Sequence, residues 1–159
     1  MRIPIFFAIM VALARATAPA STGSTLVTPA EAETGCTLRI HVEGLRNQSG
    51  VVGAAIFKSP DGWPEDMSKS FHHWPTSIPS GARELTAVID NLPAADYSVV
   101  VIHDENSNRK LDRNFIGIPK EGFGFANNPR VNLSAPPFQA ARLHVACPVT
   151  ETTIHLVYK

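Results

Sequence analysis

Residues 97–103, with the sequence YSVVVIH, decide the fold. In an extended chain Val99 and Val101 lie on one face, and Val100 and Ile102 lie on the other, because side chains alternate along a strand. A strand that is apolar on both faces is covered on both sides. The pattern therefore predicts an interior strand with packing above and below it.

The segment after this strand is the predicted cover. Residues 104–138 are polar at first and then carry the large apolar side chains Phe115, Ile116, Ile118, Phe123, Phe125 and Phe138. Loops of this length inside a compact domain are packed by their own side chains or are functional. We interpret the GFGF run at 122–125 as a turn that lets both phenylalanines pack over the sheet, since it lacks the third glycine of a dinucleotide fingerprint.

Other stretches also have strand character. In residues 36–42 the apolar side chains Cys36, Leu38, Ile40 and Val42 share one phase. Further strands are predicted at 51–57, 85–89, 141–147 and 152–158. The turn-rich residues 44–50 predict a hairpin between the first two strands, and residues 148–151 predict a closing hairpin. The fold class is therefore all-β, an antiparallel Ig-like sandwich of six to eight strands with one long packed loop.

Length and composition indicate one globular domain. The chain has 159 residues, of which 44% are hydrophobic, so it can fill a core. It has 14 basic and 14 acidic residues, and this balance lacks the positive charge expected of a nucleic-acid-binding protein.

The first 20 residues have the pattern of a secretory signal peptide. Arg2 precedes an apolar run at 3–13, and small residues at 14–16 or 18–20 supply a cleavage site. Cleavage after Ala20 would remove Arg2 and Arg15, leaving 12 basic against 14 acidic residues, a net charge of −2. We therefore expect a secreted or periplasmic protein with no membrane span, a flexible leader at 21–35 and a single sandwich domain at 36–159.

Export determines how the two cysteines are interpreted. In an oxidising compartment they are expected to form one disulfide, between Cys36 and Cys147. That bond would join the beginning of the domain to its end.

Several stretches resemble a bacterial family of secreted proteins called domain of unknown function 2141. They are LRN at 45–47 with Gly50, LPAADY at 92–97, HDEN at 103–106, GIPKEGFGFANN at 117–128, and PPF at 136–138 followed by Ala140. The resemblance implies an export-linked β-sandwich and no particular reaction. The 92–97 turn is also similar to one in transthyretin-like and carboxypeptidase-regulatory sandwiches, although Ala95 replaces the usual glycine. There Tyr97 is expected to tie the corner through its hydroxyl.

The polar start of the long loop resembles the first nine positions of a calcium-binding loop. Oxygen-bearing side chains occur at relative positions 1, 3, 5 and 9, and the backbone carbonyl of Lys110 is available at position 7. The candidate ligands are Asp104, Asn106, Asn108, Lys110 and Asp112, with Glu121 and His103 peripheral. Position 6 is Arg109 where glycine is usual, and position 12 is Phe115 where glutamate is usual.

Two other interpretations of these polar residues stay open. The loop is alternatively an Asx-rich turn held by side-chain-to-backbone hydrogen bonds without an ion. His144 and His155, opposed if the closing hairpin forms, are either transition-metal ligands together with His41 or ordinary exposed histidines.

These observations favour a non-enzymatic binding or structural module with an unknown protein or glycan partner in the envelope. Nucleophile motifs of the G-x-S-x-G and H-E-x-x-H types do not occur. The alternative is a metal-assisted hydrolase acting on an envelope component or glycan, with Asp104, Asp112, Glu121 and His103 converging on the ion. The sequence does not indicate an oligomeric state.

Overall fold

The computed structural model describes residues 35–132 and 134–159. The predicted signal peptide, 1–20, and all but the last residue of the predicted leader, 21–35, lie outside the described residues. The strands are β1 (Cys36–Glu43), β2 (Val51–Phe57), β3 (His72–Ser77), β4 (Glu84–Leu92), β5 (Ala95–Asp104), β6 (Gly122–Phe125), β7 (Arg142–Val145) and β8 (Val149–His155). Short 3₁₀ turns occupy Met67–Lys69 and Phe138–Ala141. No helix in this part of the chain is both long and apolar enough to cross a membrane.

The strands form two sheets that pack face to face. One has three strands in the order β4-β1-β8, and the other has β3-β2-β5, with β6 and β7 sharing the free edge of β5. Pairing is antiparallel except between β1 and β8, which run parallel. The predicted all-β sandwich is confirmed.

The space between the sheets is filled by the alternating side chains that the sequence pattern placed on one face. In β1 these are Cys36, Leu38, Ile40 and Val42, all at 0% exposure. Val99 and Val101 of β5 join the same cluster. Tyr97 begins that row, and its hydroxyl donates to the carbonyl oxygen of Pro93 at 2.9 Å, so the expected tie at the corner is present.

The other face of β5 packs in a second apolar cluster. It contains Ala55, Phe57, Val100, Phe123, Phe125, Phe138 and Ala141, with Trp63, Met67, Ile102, Leu111 and Val131 packed against them. The indole nitrogen of Trp63 donates to the carbonyl oxygen of Pro136 at 3.0 Å, which joins two of the covering segments. β5 is thus covered on both faces as predicted, although residues before β3 cover it together with the long loop.

Both predicted hairpins are wrong. β1 and β2 lie in different sheets, and β7 pairs with β5 while β8 pairs with β1. The predicted disulfide is present, with the Cα atoms of Cys36 and Cys147 4.5 Å apart. It holds the chain after β7 beside the start of β1, where the amide of Thr37 donates to the carbonyl oxygen of Pro148 at 2.9 Å. The chain therefore crosses between sheets at this point instead of folding back on β7.

The GFGF run forms strand β6 rather than a turn. Phe123 and Phe125 lie in the outer cluster, while a Cβ atom on Gly122 would come within 2.5 Å of the Tyr158 ring. A Cβ on Gly124 would come within 2.6 Å of Ile154. The glycines are needed because the end of the three-stranded sheet approaches β6 closely.

Candidate functional site

The candidate cation loop, residues 104–121, connects the end of β5 to the start of β6. Its first and last residues are buried acids, with Asp104 4% and Glu121 3% exposed. Buried carboxylates are costly unless they are hydrogen-bonded. Both accept backbone N–H groups of the loop, so they hold its shape.

Asp104 closes the first turn of the loop. Its Oδ1 accepts from the amide of Asn108 at 3.0 Å, and its Oδ2 accepts from the amide of Arg109 at 2.6 Å. Ser107 and Arg109 have φ values of 58° and 63°, in the left-handed region that favours glycine. Arg109 therefore adopts the conformation for which a calcium loop normally has glycine at position 6.

Asp112 lies across the loop from two asparagines. Asn106 Nδ2 donates to its Oδ2 at 2.7 Å, and Asn108 Nδ2 donates to its Oδ1 at 3.0 Å. These bonds, led by that from Asn108, hold the pKa of Asp112 below its usual value. The amide oxygens of the same asparagines accept from the backbone amides of Asn108 and Lys110, at 3.1 and 2.8 Å. Asx turns thus close the loop around the carboxylate of Asp112.

Glu121 lies against both halves of the loop. Its Oε1 accepts from the amide of Glu105 and its Oε2 from the amide of Asp112, both at 3.0 Å. The amide of Lys120 donates to the carbonyl oxygen of Asp112 at 2.8 Å, which folds the chain back. The structure therefore brings Glu121 to the predicted ligand set, whereas Phe115, at position 12, is 99% exposed.

His103, the residue before the loop, is fully buried in the interior. Its Nε2 lies 2.9 Å from the carbonyl oxygen of Ser49, which can only accept, so Nε2 carries the proton. Its Nδ1 lies 2.7 Å from the Tyr158 hydroxyl, which can donate or accept a hydrogen bond. With both ring nitrogens occupied in this way, His103 is a residue that anchors the loop.

A salt bridge that the sequence did not indicate fixes the other side of the loop. Arg46 donates through Nε to Oε1 of Glu105 at 2.9 Å and through Nη2 to Oε2, and it also reaches the carbonyl oxygen of Lys120 at 3.0 Å. This guanidinium, assisted by Asn47, holds the pKa of Glu105 below its usual value. Arg46 also lies over the ring of Tyr158, 4.6 Å from its centroid.

Outside this loop the histidines do not assemble. His144 and His155 lie on different sheets, and each contacts a carboxylate, Asp96 at 2.8 Å and Glu43 at 3.0 Å respectively. Their predicted opposition is wrong because the closing hairpin does not form. Among residues 35–132 and 134–159, no three His, Cys, Asp or Glu side chains are grouped to hold a metal ion. The calcium hypothesis thus depends on asparagine and backbone oxygens beside the carboxylates.

A second feature, which the sequence did not indicate, is a cavity of about 1020 Å³ on the outer face of the five-stranded sheet. Its floor comes from β2, β5 and β6, and its walls come from the covering segments, including residues 109–111 of the candidate cation loop. Apolar lining residues from these parts are Val51, Ala55, Met67, Val100, Ile102, Leu111, Phe123, Phe125 and Val131. The cavity depends on how separate segments meet, so no local sequence pattern marks it.

Comparison with known proteins assigns the chain to a family. No curated protein and no solved structure matches the chain. A family model described as "Uncharacterized protein conserved in bacteria" matches residues 40–153, which include the candidate cation loop and the cavity floor. The chain therefore belongs to this bacterial family, domain of unknown function 2141.

Proposed function

We propose that the protein is an exported, non-enzymatic binding module of the bacterial envelope, in which calcium stabilises residues 104–121. The observation that carries the proposal is the loop geometry. Five oxygen-bearing side chains, those of Asp104, Asn106, Asn108, Asp112 and Glu121, are linked through one short network of hydrogen bonds. Left-handed residues at its fourth and sixth positions support a tight turn around an ion.

The donor set fits a hard cation. Calcium takes six to eight oxygen ligands, and the carboxylates, two amide oxygens and the Lys110 carbonyl can supply them. A carboxylate oxygen that accepts one N–H bond keeps a second lone pair for a ligand. Binding would require Asn106 and Asn108 to present their oxygen atoms to the ion in place of the Nδ2 groups that now face Asp112.

The charge around the loop indicates weak binding. Asp104, Asp112 and Glu121 are offset by Arg109, Lys110 and Lys120, and Glu105 is paired with Arg46. Little net field remains to attract a dication. We expect a Kd of about 10⁻⁴–10⁻³ M, the range of extracellular calcium modules.

The hydrogen bonds of the acidic groups support a binding role over the hydrolase alternative. His103 bridges Ser49 and Tyr158, and both oxygens of Asp104 and of Glu121 hold backbone amides. A general acid or base must exchange protons with a substrate. Groups that maintain the backbone conformation are poorly suited to that task.

Export is supported by the disulfide, since such bonds persist in oxidising compartments. Mass spectrometry of protein recovered from the periplasmic or culture fraction tests this part. We expect a mature chain that begins after Ala16 or Ala20 and has no free thiol. Recovery of the full-length chain with both cysteines alkylated would refute it.

The calcium proposal is tested by thermal unfolding of chelator-treated protein. Ligand that binds only the native state stabilises it by RT ln(1 + [L]/Kd), about 1.4 kcal/mol at ten times Kd. For a domain of this size that corresponds to a rise in Tm of roughly 4–6 °C. The measurement is a calcium titration to about 10 mM, ten times the weakest expected Kd, with magnesium in parallel.

Variants identify the ligands. In Asp112→Asn and Asp104→Asn we expect the calcium-dependent rise in Tm to disappear. The control, Glu84→Gln, removes one negative charge from an exposed position on β4 and should keep the full rise. A wild-type Tm unchanged by millimolar calcium, or an equal rise in all variants, would refute the ion site.

A further inference from the structure

The cavity on the outer face of the five-stranded sheet is a feature that the proposed calcium loop does not explain. At about 1020 Å³ it is at the upper end of the range for small-molecule sites, about 300–1,000 Å³. Such sites are mainly apolar with a few polar groups that fix the orientation of the ligand. This cavity has that composition.

Its floor is an apolar surface formed by three adjacent strands. Phe123 and Phe125 of β6 lie beside Val100 and Ile102 of β5, in the register Phe125 to Val100 and Phe123 to Ile102. The phenylalanines and Val100 are only 3–4% exposed, because the covering segments already pack on them. The accessible apolar lining includes the half-buried Ile102, Leu111 and Val131, on which a ligand would exchange water for apolar contact.

Small residues on β2 leave space above this floor. Gly53 pairs with Ile102, and both line the cavity. A Cβ atom on Gly53 would meet only the carbonyl oxygen of Ile102, at 4.0 Å, so the space beside it is open. The φ angle of Gly53 is not in the left-handed region. A larger side chain at this position can therefore fill the cavity without straining the strand.

The walls carry more positive than negative charge. The basic lining residues are Arg109, Lys110, Arg113 and Lys159, and the acidic ones are Glu65 and Asp104. Glu65 is paired with Arg113, and Asp104 accepts two backbone amides. Within the described part of the chain, the exposed Arg109 guanidinium makes no hydrogen bond or ion pair, so it is available to an anionic group.

From the apolar floor and the cationic wall we propose that this cavity binds a fatty acid, with the alkyl chain over β5 and β6 and the carboxylate beside Arg109. A fatty acid complements the cavity in two ways, through its apolar chain and through its negative charge. A neutral or cationic amphiphile would make only the apolar contacts. The inference goes beyond the calcium proposal, since it uses side chains that are not among the proposed side-chain ligands of the ion.

The test uses laurate as the probe, below its critical micelle concentration, and isothermal titration calorimetry of the full mature protein. We expect saturable binding of one laurate per chain. Affinity should rise roughly fourfold for each methylene added between eight and twelve carbons, because each methylene that is buried on binding adds a favourable free energy of transfer out of water. Dodecanol and dodecyltrimethylammonium, with the same chain and another head group, should bind at least several-fold more weakly.

Substitutions at Gly53 and Arg109 locate the site. Gly53→Phe should weaken laurate binding at least tenfold while circular dichroism and Tm stay near wild type, and Gly53→Leu serves if the larger side chain prevents folding. The matched control, Val88→Phe, adds the same ring on the three-stranded sheet at a position that is 46% exposed, and should bind laurate normally. Arg109→Gln should reduce the preference for laurate over dodecanol.

Each of these binding measurements can contradict the proposal. Absence of saturable laurate binding, or wild-type affinity in a folded Gly53→Phe variant, would exclude the cavity as the site. Equal affinity for all three head groups would refute the anionic specificity. Titrating Asp112→Asn with laurate in the presence of a chelator separates this result from the ion proposal, since laurate should bind this variant as it binds wild type even if no calcium site exists.

Discussion

The two faces of the five-stranded sheet are covered in different ways. On the inner face Val99 and Val101 meet the three-stranded sheet and are fully buried. On the outer face Val100 and Ile102 lie under irregular segments that enclose the cavity. Sheet-on-sheet packing fills space evenly, because both layers are regular. A cover made of loops leaves space and brings polar groups beside it, which is why both candidate sites are on this side.

Two glycines of the same region should respond in opposite ways, and this is the largest expected effect. Gly50 has a φ of 72°, and a Cβ atom there would lie 1.9 Å from the carbonyl oxygen of Asp104. Gly50→Ala should therefore lower the free energy of unfolding by about 3 kcal/mol or more. Gly53, on the cavity floor, has open space, so Gly53→Ala should be neutral or stabilising by up to about 1 kcal/mol.

Urea denaturation of both variants measures this contrast. A Gly50→Ala protein as stable as wild type would contradict the close approach of the β2 turn to the candidate cation loop. A large loss in Gly53→Ala would contradict the open floor.

Neighbouring valines on β5 compare the two faces directly. Val101→Ala removes two methyl groups from the filled interior and should cost about 2 kcal/mol, including the cost of the new void. Val100→Ala enlarges a cavity that already exists, so we expect about 1 kcal/mol or less. Equal losses in the same denaturation assay would indicate that the two faces are packed equally well.

Much of this architecture follows from the periodicity of the sequence. Periodicity indicates which face of a strand is buried, but it does not indicate which strands pair. Alternation at 36–42 placed strand β1 correctly, because its apolar side chains face one core, and the apolar run at 51–57 after a turn-rich stretch placed strand β2. Nothing in either pattern specifies whether neighbouring strands share a sheet. The hairpins predicted for β1 with β2 and for β7 with β8 were therefore wrong, and strand β3, which contains Pro75, had no alternating pattern to mark it.

The candidate cation loop was more predictable than its surroundings. The spacing of Asp104, Asn106, Asn108 and Asp112 marked the turn because its hydrogen bonds are local. The pair of Arg46 and Glu105 is 59 residues apart, and such contacts depend on the tertiary fold. The cavity likewise results from the meeting of segments far apart in the sequence.

That distant pair gives a pH-dependent test. The pKa of Glu105 is lowered in the folded state, chiefly by its hydrogen bond to Arg46, so the resulting stability is present above the unfolded pKa of about 4.3. It is lost as the pH falls through the folded-state pKa. We expect Glu105→Gln to be less stable than wild type at pH 7 and the difference to shrink below about pH 4.3. A constant difference across urea titrations from pH 7 to pH 3 would contradict the assignment.

The smallest effect is expected at the tip of the loop. Phe115 is 99% exposed, so Phe115→Ser should change the free energy of unfolding by less than about 0.5 kcal/mol. Calcium-dependent stabilisation and laurate binding should both be unchanged. A substantial loss of stability would show that the tip packs against the domain.

Equilibrium dialysis with radiolabelled calcium tests the central proposal most directly. Wild-type mature protein should bind one ion per chain with a Kd of about 10⁻⁴–10⁻³ M, and Asp104→Asn with Asp112→Asn should bind none. No binding by folded wild-type protein at millimolar calcium, or one ion per chain in the double variant, would contradict a calcium-stabilised loop at 104–121.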